Sequence, residues 1–341
     1  MTKFWDAFGP IFSNILPFLI VAALLFVIIS AGRQPLWAEA YRRLRRNPIA
    51  MLALAVIGVY GLIAVMDSVS WQDNKMTRPQ TMLDRVFAGV PQERTYSAPN
   101  ATMTFGEPHP QKLKGRHILG TDGNGQDVLV QSLKGCRTAI IIGGLTSLIA
   151  TPVALIFGMI AGYFGKQVDD AVQYTYSVIS SIPDILLLIA LLLVLGQGLD
   201  KLCYALGITA WVSLCRLTRG ETLKHRDRDY VRAARALGVS SFRIMYRHIL
   251  PNLLPTVIIS VTLGLSGLVL SETILSYLGI GVPAGVGSWG NMIDAARLEL
   301  ARDPVIWWNL AGATQALFLL VLAFNVFGDA LRDAIDPRLR T

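Results

Sequence analysis

Long apolar runs separated by short polar segments dominate the pattern of the chain. They extend from Ile11 to Ser30, Ile49 to Met66, Thr138 to Phe164, Val178 to Gly196, Leu202 to Leu217, Leu253 to Val282 and Val305 to Gly328. A helix needs ~20 apolar residues to cross a hydrocarbon core, and most of these runs reach that length. The run from Leu202 to Leu217 is the shortest and carries Thr209 and Ser213. Most runs are free of charge, with Asp184 near the start of the fourth and Glu272 late in the sixth. A buried soluble helix could be this apolar once, but not repeatedly. The pattern predicts an all-α integral membrane protein with seven helices.

Composition agrees: of 341 residues, 53% are hydrophobic and only 16% charged. Soluble domains carry about 25% charged residues, and disordered or collagen-like chains look different again. Charge placement then sets orientation. Residues 31–48 hold Arg33, Arg42, Arg43, Arg45 and Arg46 against Glu39 alone. Residues 216–248 hold nine basic residues against Glu221, Asp227 and Asp229. Together these segments carry more positive charge than the net +8 of the whole chain, so the remainder is slightly acidic. By the positive-inside rule both segments face the cytoplasm. The N-terminus then lies outside, the 67–136 loop is external, and the C-terminus is cytoplasmic. The basic excess is topogenic, and nucleic-acid binding is not expected. Lys3 is offset by Asp6 and the arginine cluster follows the first run, the reverse of a signal peptide, so Ile11–Ser30 is expected to be an uncleaved anchor.

Several strings that resemble chemistry fail on context. Gly285-Val-Gly287-Ser-Trp-Gly290 fits a dinucleotide fingerprint but follows a membrane helix, not a strand. Its glycines are expected to shape an external loop. Gly165-Lys166-Gln167 lacks the Ser/Thr and the first glycine of a P-loop. His109, His117, His225 and His248 have no metal-ligand spacing, so no metal or other cofactor is expected. Cys136, Cys203 and Cys215 lie at or inside the apolar runs, where they suit packing.

The informative polar segment is Asp229 to Asn252. Tyr230–Leu237 is rich in helix formers and stops at Gly238, which suits a left-handed C′ position. Ser240 or Ser241 can cap a second short helix, and Pro251 marks entry to the next membrane span. Ala233 and Ala234 are small enough to let another surface approach the backbone. Tyr230, Leu237 and Phe242 offer apolar anchors inside a basic rim of Arg232, Arg235 and Arg243. Such a face fits either a protein-docking site or a helix resting on anionic lipid headgroups.

Arg232–Pro251 resembles the cytoplasmic signature of binding-protein-dependent ABC importer permeases, carried here by Ala233, Ala234, Gly238, Leu250 and Pro251. The chain is most similar to the second permease subunit of the dipeptide, oligopeptide and nickel importer group. His117-Ile-Leu-Gly-Thr-Asp122 with Asp127-Val-Leu, Ala161-Gly-Tyr-Phe-Gly165, Arg247-His-Ile-Leu-Pro-Asn252, Ser276-Tyr-Leu-Gly279, Ser288-Trp-Gly-Asn-Met292 and Leu331-Arg-Asp-Ala-Ile-Asp-Pro337 carry this likeness. Two positions depart from the pattern: Arg232 stands where the signature has Glu, and Gln126 where the group commonly has Arg.

The resemblance implies a type I ABC importer transmembrane fold of six core helices, with Ile11–Ser30 as an addition. Residues 1–48 would form that extra helix and a basic cytoplasmic linker, 49–66 the first core helix and 67–136 the external loop. Residues 137–328 would be the permease core, with the coupling loop at 218–250, and 329–341 a cytoplasmic tail. The implied partners are a second homologous permease, cytoplasmic ABC ATPase subunits, an external solute-binding protein and the bilayer, with ATP hydrolysis confined to the separate subunits. Tyr230, Arg232, Ala233, Ala234, Arg235, Leu237, Gly238, Phe242 and Pro251 would dock on the ATPase. Peptides are the commonest cargo of such permeases, and the expected location is the inner or plasma membrane of a prokaryote. Among intramembrane acids, Glu272 could face the pore or be held by water or a backbone donor, while Asp184 beside Pro183 is expected to reach water. An ion-coupled secondary transporter is the alternative, and would show paired intramembrane acids or an internal repeat.

Overall fold

A computed structural model describes residues 35–71, 80–106 and 108–335. The expected span Ile11–Ser30 and residues 336–341 lie outside the described residues.

The first described element, α1 (Pro35–Arg46), is an amphipathic helix in the segment expected to be a linker. It buries Ala40 and Leu44 while Arg42, Arg45 and Arg46 stay exposed. Asn47 then turns the chain into α2 (Pro48–Ser68), its Oδ1 accepting from the amides of Ile49 (3.1 Å) and Ala50 (3.2 Å). This N-cap and Pro48 at the first helical position start the span where the polar cluster ends.

The segment expected to be external holds a minimal ladder, β1 (Ser70–Trp71) with β2 (Gln80–Thr81), and a short α3 (Met82–Val86) capped by Thr81. A hydrogen-bonded coil leads from there to α4 (Val128–Phe164), 37 residues long and capped by Asp127, whose Oδ1 accepts from Val130 N at 3.0 Å. The loop expected to be external therefore ends at residue 127, and the helix of the third run starts ten residues before the expected Thr138.

The expected single span Val178–Gly196 is two helices. α5 (Lys166–Ser180) and α6 (Asp184–Leu195) meet at 83° across Ser181–Pro183. Pro183 has no amide proton to continue a helix and disfavours the helical backbone in the residue before it. The next helix, α7 (Leu199–Arg226), contains the short Leu202–Leu217 run and extends it by more than two turns into the basic segment.

α4 and α7 form the centre of the fold and touch backbone to backbone. A Cβ on Gly158 would lie 2.8 Å from the Cys215 carbonyl oxygen, and one on Gly162 2.8 Å from that of Arg219. Two glycines four residues apart let α7 lie in contact with α4, as small residues do in membrane helix pairs.

After α8 (Asp229–Ala236) comes α9 (Ser241–Ile244), which runs through a π-turn at Met245–Ile249 into α10 (Leu250–Tyr277). The Leu250 amide donates to the Met245 carbonyl, five residues back. The expected second short helix is thus the first turn of the next span. Ser240 occupies its N-cap position without a side-chain hydrogen bond, and Pro251 sits inside the helix, not at its entry. The widened turn lies just ahead of Pro251, whose missing amide proton and bulky ring disturb the preceding turn of an α-helix. α11 (Trp289–Glu299) and α12 (Trp308–Ile335) complete the order. Leu278–Val282 and Val305–Trp307, expected within spans, lie outside these helices, and α12 extends seven residues into the expected tail.

By length and composition, α2, α4, continuous α9–α10 and α12 can each cross a membrane, and the bent α5–α6 pair makes a fifth candidate among the described residues. Among the described residues three buried clusters hold the bundle: one at the elbow end around Trp211, Ile244 and Ile249, one around Ile142, Leu192 and Leu202, and one joining Tyr60, Trp289, Trp308 and Leu320. Large apolar side chains such as Leu62, Leu193 and Val194 remain exposed on the outside, where lipid replaces water.

Candidate functional site

The segment after α7 is a tight elbow. α8 ends in a Schellman motif: Gly238 N donates to Arg235 O at 3.0 Å and Val239 N to Ala234 O at 3.1 Å. Gly238 has φ +77°, a left-handed conformation in which a Cβ is strained. The helix is too short to stand alone and is held by burying one side. Val231 and Ala234 join Ile244, Met245, Ile249 and Leu253 in the cluster that includes Tyr163 and Tyr176. Arg235 stacks over the Tyr163 ring at 5.4 Å, and Phe242 meets Phe164 edge to face with centroids 6.2 Å apart. His225 Nδ1 and the Tyr230 hydroxyl lie 2.7 Å apart, fixing α8 to the end of α7. Partial burial raises the Tyr230 hydroxyl above its ordinary pKa.

The outward face carries most of the expected residues. Leu237 is 83% exposed and Phe242 70% exposed, and Tyr230, Arg232, Ala233, Arg235 and Gly238 are exposed as well. The two alanines divide: Ala233 faces out, whereas Ala234 is buried against the chain's own core. Spacing around a helix explains this, since Val231 and Ala234 sit three residues apart on one face. Pro251 is exposed but lies beyond the π-turn. Tyr246, 75% exposed, belongs to the apolar face and was missed by the sequence reading. Its signal was the four-residue spacing from Phe242. Arg243 and Arg247, also exposed, extend the rim.

Behind the elbow, Arg219 of α7 grips Asp169 of α5 through two of its nitrogens, Nε to Oδ1 at 2.5 Å and Nη2 to Oδ2 at 2.6 Å. This bidentate pair joins α5 to α7, on the α5 side of the α5–α6 break.

At the opposite end Glu272 is 1% exposed. Its Oε1 accepts from Ser276 Oγ (2.8 Å) and Ser288 Oγ (2.7 Å), and Oε2 from Thr273 Oγ1 (3.4 Å). Ser288 also N-caps α11, accepting from Gly290 N at 3.1 Å. Glu272 thus ties α10 to α11 through side-chain hydroxyls instead of the water or backbone donor expected, and it does not line an open path within this chain. The glycine string 285–290 belongs to this join: Trp289 Nε1 donates to Ser132 O at 2.8 Å, and Gly290 packs in α11, not in a loop.

The motif around His117 is equally structural. His117 is fully buried, with Nδ1 2.8 Å from Asp127 Oδ2 and Nε2 3.4 Å from Glu93 Oε1. Glu93 Oε1 accepts from the amides of Lys114 (2.7 Å) and Gly115 (3.0 Å), and Trp308 Nε1 donates to Thr121 O at 2.9 Å. Asp122 Oδ1 accepts from Asn124 N and Gln126 N, while the Gln126 side chain is exposed. Glu299, buried beside Asn309 Nδ2 (3.2 Å), has its pKa raised by desolvation.

A membrane-embedded bundle with a rigid elbow bearing apolar anchors is the form expected of a transport permease. The sequence matches, over residues 154–341, the family described as binding-protein-dependent transport system inner membrane component. The chain belongs to that family. Residues 35–83 also match the N-terminal TM domain of oligopeptide transport permease C. This permease is similar to the oligopeptide transport system permease protein OppC of Bacillus subtilis (strain 168), 31% identical over 312 residues that cover 92% of this chain and 93% of the relative. It resembles the dipeptide transport system permease protein DppC of the same organism, 30% identical, with 89% and 86% covered. The OppC of Haemophilus influenzae is 30% identical, with 89% of each chain covered. Family membership makes the chain a permease subunit with the type I importer fold, pore-forming and not catalytic, and it supports the importer over the secondary transporter.

Proposed function

We propose that this permease forms half of the path by which peptides cross a prokaryotic inner or plasma membrane, and that its 229–251 elbow docks on a cytoplasmic ABC ATPase. A second homologous permease completes the pore, and an external solute-binding protein delivers the cargo. The carrying observation is the two-sidedness of the elbow. Its inner face is fixed to the core through Val231, Ala234, Ile244 and Ile249, while Leu237, Phe242 and Tyr246 stand exposed among arginines. Exposed apolar anchors inside a polar rim characterise a docking patch. The peptide class is supported by the printed functions of the relatives.

In this reading the basic segments 31–48 and 216–248 face the cytoplasm, placing the N-terminus outside and the C-terminus inside. Closure of the ATPase dimer moves the elbow, which passes its displacement directly into α10. With Arg232 in place of the signature's glutamate, the contact is expected to run through apolar anchors and basic groups. Purification of the tagged chain in mild detergent tests the reading: a second permease and ATPase subunits should accompany it, and peptide with its binding protein should stimulate ATP hydrolysis. A chain recovered with lipid alone would refute it.

A further inference from the structure

The break between α5 and α6 is polar and exposed. α6 has 12 residues and so spans ~18 Å. Its far end turns at Gly196–Gly198, where Gln197 Nε2 donates to Gly279 O beyond the end of α10, at the level of the Glu272 join. The break therefore lies about 18 Å from that turn, less than the ~30 Å a span needs to cross a hydrocarbon core. Ser177, Ser180, Ser181 and Asp184 are all exposed there. The antiparallel α7 brings Ser213 and Arg216 to the same region, both exposed. Arg216 Nη2 donates to Ser180 Oγ at 2.7 Å, and its guanidinium lies 4.8 Å from the centre of the Tyr176 ring.

Non-helical backbone is not tolerated against lipid within the hydrocarbon core, and exposed charges there face water or a polar partner. The exposed surface of α6 beyond the break is different in kind, with Leu193 and Val194 73% and 87% exposed. Two chemistries thus meet on one hairpin, an aliphatic one suited to lipid and a polar one suited to water.

We propose that the α5–α6 break and the facing turn of α7 line the aqueous solute path, with Asp184 and Arg216 presenting opposite charges to a zwitterionic solute. This deepens the peptide-permease reading and rests on it for the cargo. A free peptide carries an ammonium and a carboxylate, and a path bearing a carboxylate at Asp184 and a guanidinium at Arg216 matches both without binding either end tightly. Arg216–Ser180 and Arg219–Asp169 both join α5 to α7 on the α5 side of the bend, so movement of that end of α7 shifts the break.

Single cysteines at Ser181 and Ser213 in the assembled transporter test the lining, with Leu193→Cys as the lipid-facing control. The native Cys136, Cys203 and Cys215 are at most 1% exposed and contribute little background. A charged, membrane-impermeant thiol reagent should modify Ser181→Cys and Ser213→Cys about tenfold faster than Leu193→Cys, because the reactive thiolate forms in water and not in hydrocarbon. Modification only by a lipid-soluble maleimide, or by neither reagent, would overturn the assignment. Asp184→Asn and Arg216→Gln should each lower peptide uptake severalfold while ATPase subunits still co-purify. Unchanged uptake would remove the two charges from the path. The labelling needs no bound ATPase, so failure of co-purification, which refutes the importer reading, leaves the accessibility result interpretable.

Discussion

The two ends of this permease are built by opposite means. The end proposed to face outward buries polar groups and satisfies them: His117 between Glu93 and Asp127, Glu272 among three hydroxyls, and tryptophan N–H groups on carbonyls. The elbow, at the end proposed to face the cytoplasm, is anchored by apolar packing, and its outward face leaves Leu237, Phe242 and Tyr246 exposed. Buried polar networks specify one arrangement, since each lost partner strands a desolvated group. Exposed apolar side chains are available to a second surface. The outer end reads as a scaffold and the inner end as a contact.

Substitutions can break that contrast. The largest effect is expected outside, for Asp127→Ala, which removes the cap of α4 and the His117 partner together. Loss of a cap costs about 1 kcal/mol and a charge-assisted buried bond about 1.5–3 kcal/mol, so the thermal midpoint of the purified complex should fall by several degrees. Ala234→Asp is expected to be nearly as severe at the inner end, because it buries an unpaired charge beside Val231, and the loss should show as reduced folded yield. Leu237→Asp and Phe242→Asp sharpen the comparison. Thermal midpoints should move by the equivalent of about 0.5 kcal/mol or less, as for surface positions, while ATPase subunits no longer co-purify.

Gly238→Ala lies between these. Nothing within 4 Å would meet the added carbon, so only the left-handed backbone resists it, at a cost of about 1 kcal/mol. Weakened coupling with retained insertion, read as peptide-stimulated ATPase activity, is the expected result. The smallest effect concerns Glu299. Its folded-state pKa is raised by burial, so the folded protein holds that proton more tightly than the unfolded chain. Stability from this group is full below the ordinary Glu pKa and is lost as pH rises through the raised value. Thermal midpoints should therefore rise modestly on acidification across that window, and Glu299→Gln should flatten the profile.

The membrane class and the elbow were legible because both rest on local pattern. Apolar runs report spans, and Tyr230–Gly238 reports a helix with a left-handed stop. What escaped depends on what touches what. Nothing in the string from Val178 to Gly196 measures a bend of 83°, although Pro183 marks where it falls. Ala234 and Ala233 are equivalent as letters and separate only once Val231 fixes the buried face. The outer scaffold was legible as a motif but not as a structure, because His117, Glu93 and Trp308 are joined by tertiary bonds between distant positions. α1 went unread since four arginines in a short segment resemble a topogenic linker as much as a helix.

The uninterrupted passage of α9 through the π-turn into α10 has a mechanical consequence. From Phe242 to Glu272 the chain is one rod of about 45 Å, with no loop to absorb slack. Its outer end is pinned by Ser288 and its inner end carries the hook. A pinned rod has tilt as its main freedom, so pushing the hook sideways must strain the outer join, and loosening the join must free the hook. Thermodynamic reciprocity then requires that whatever binds at the outer face changes affinity at the inner one by the same factor as the reverse.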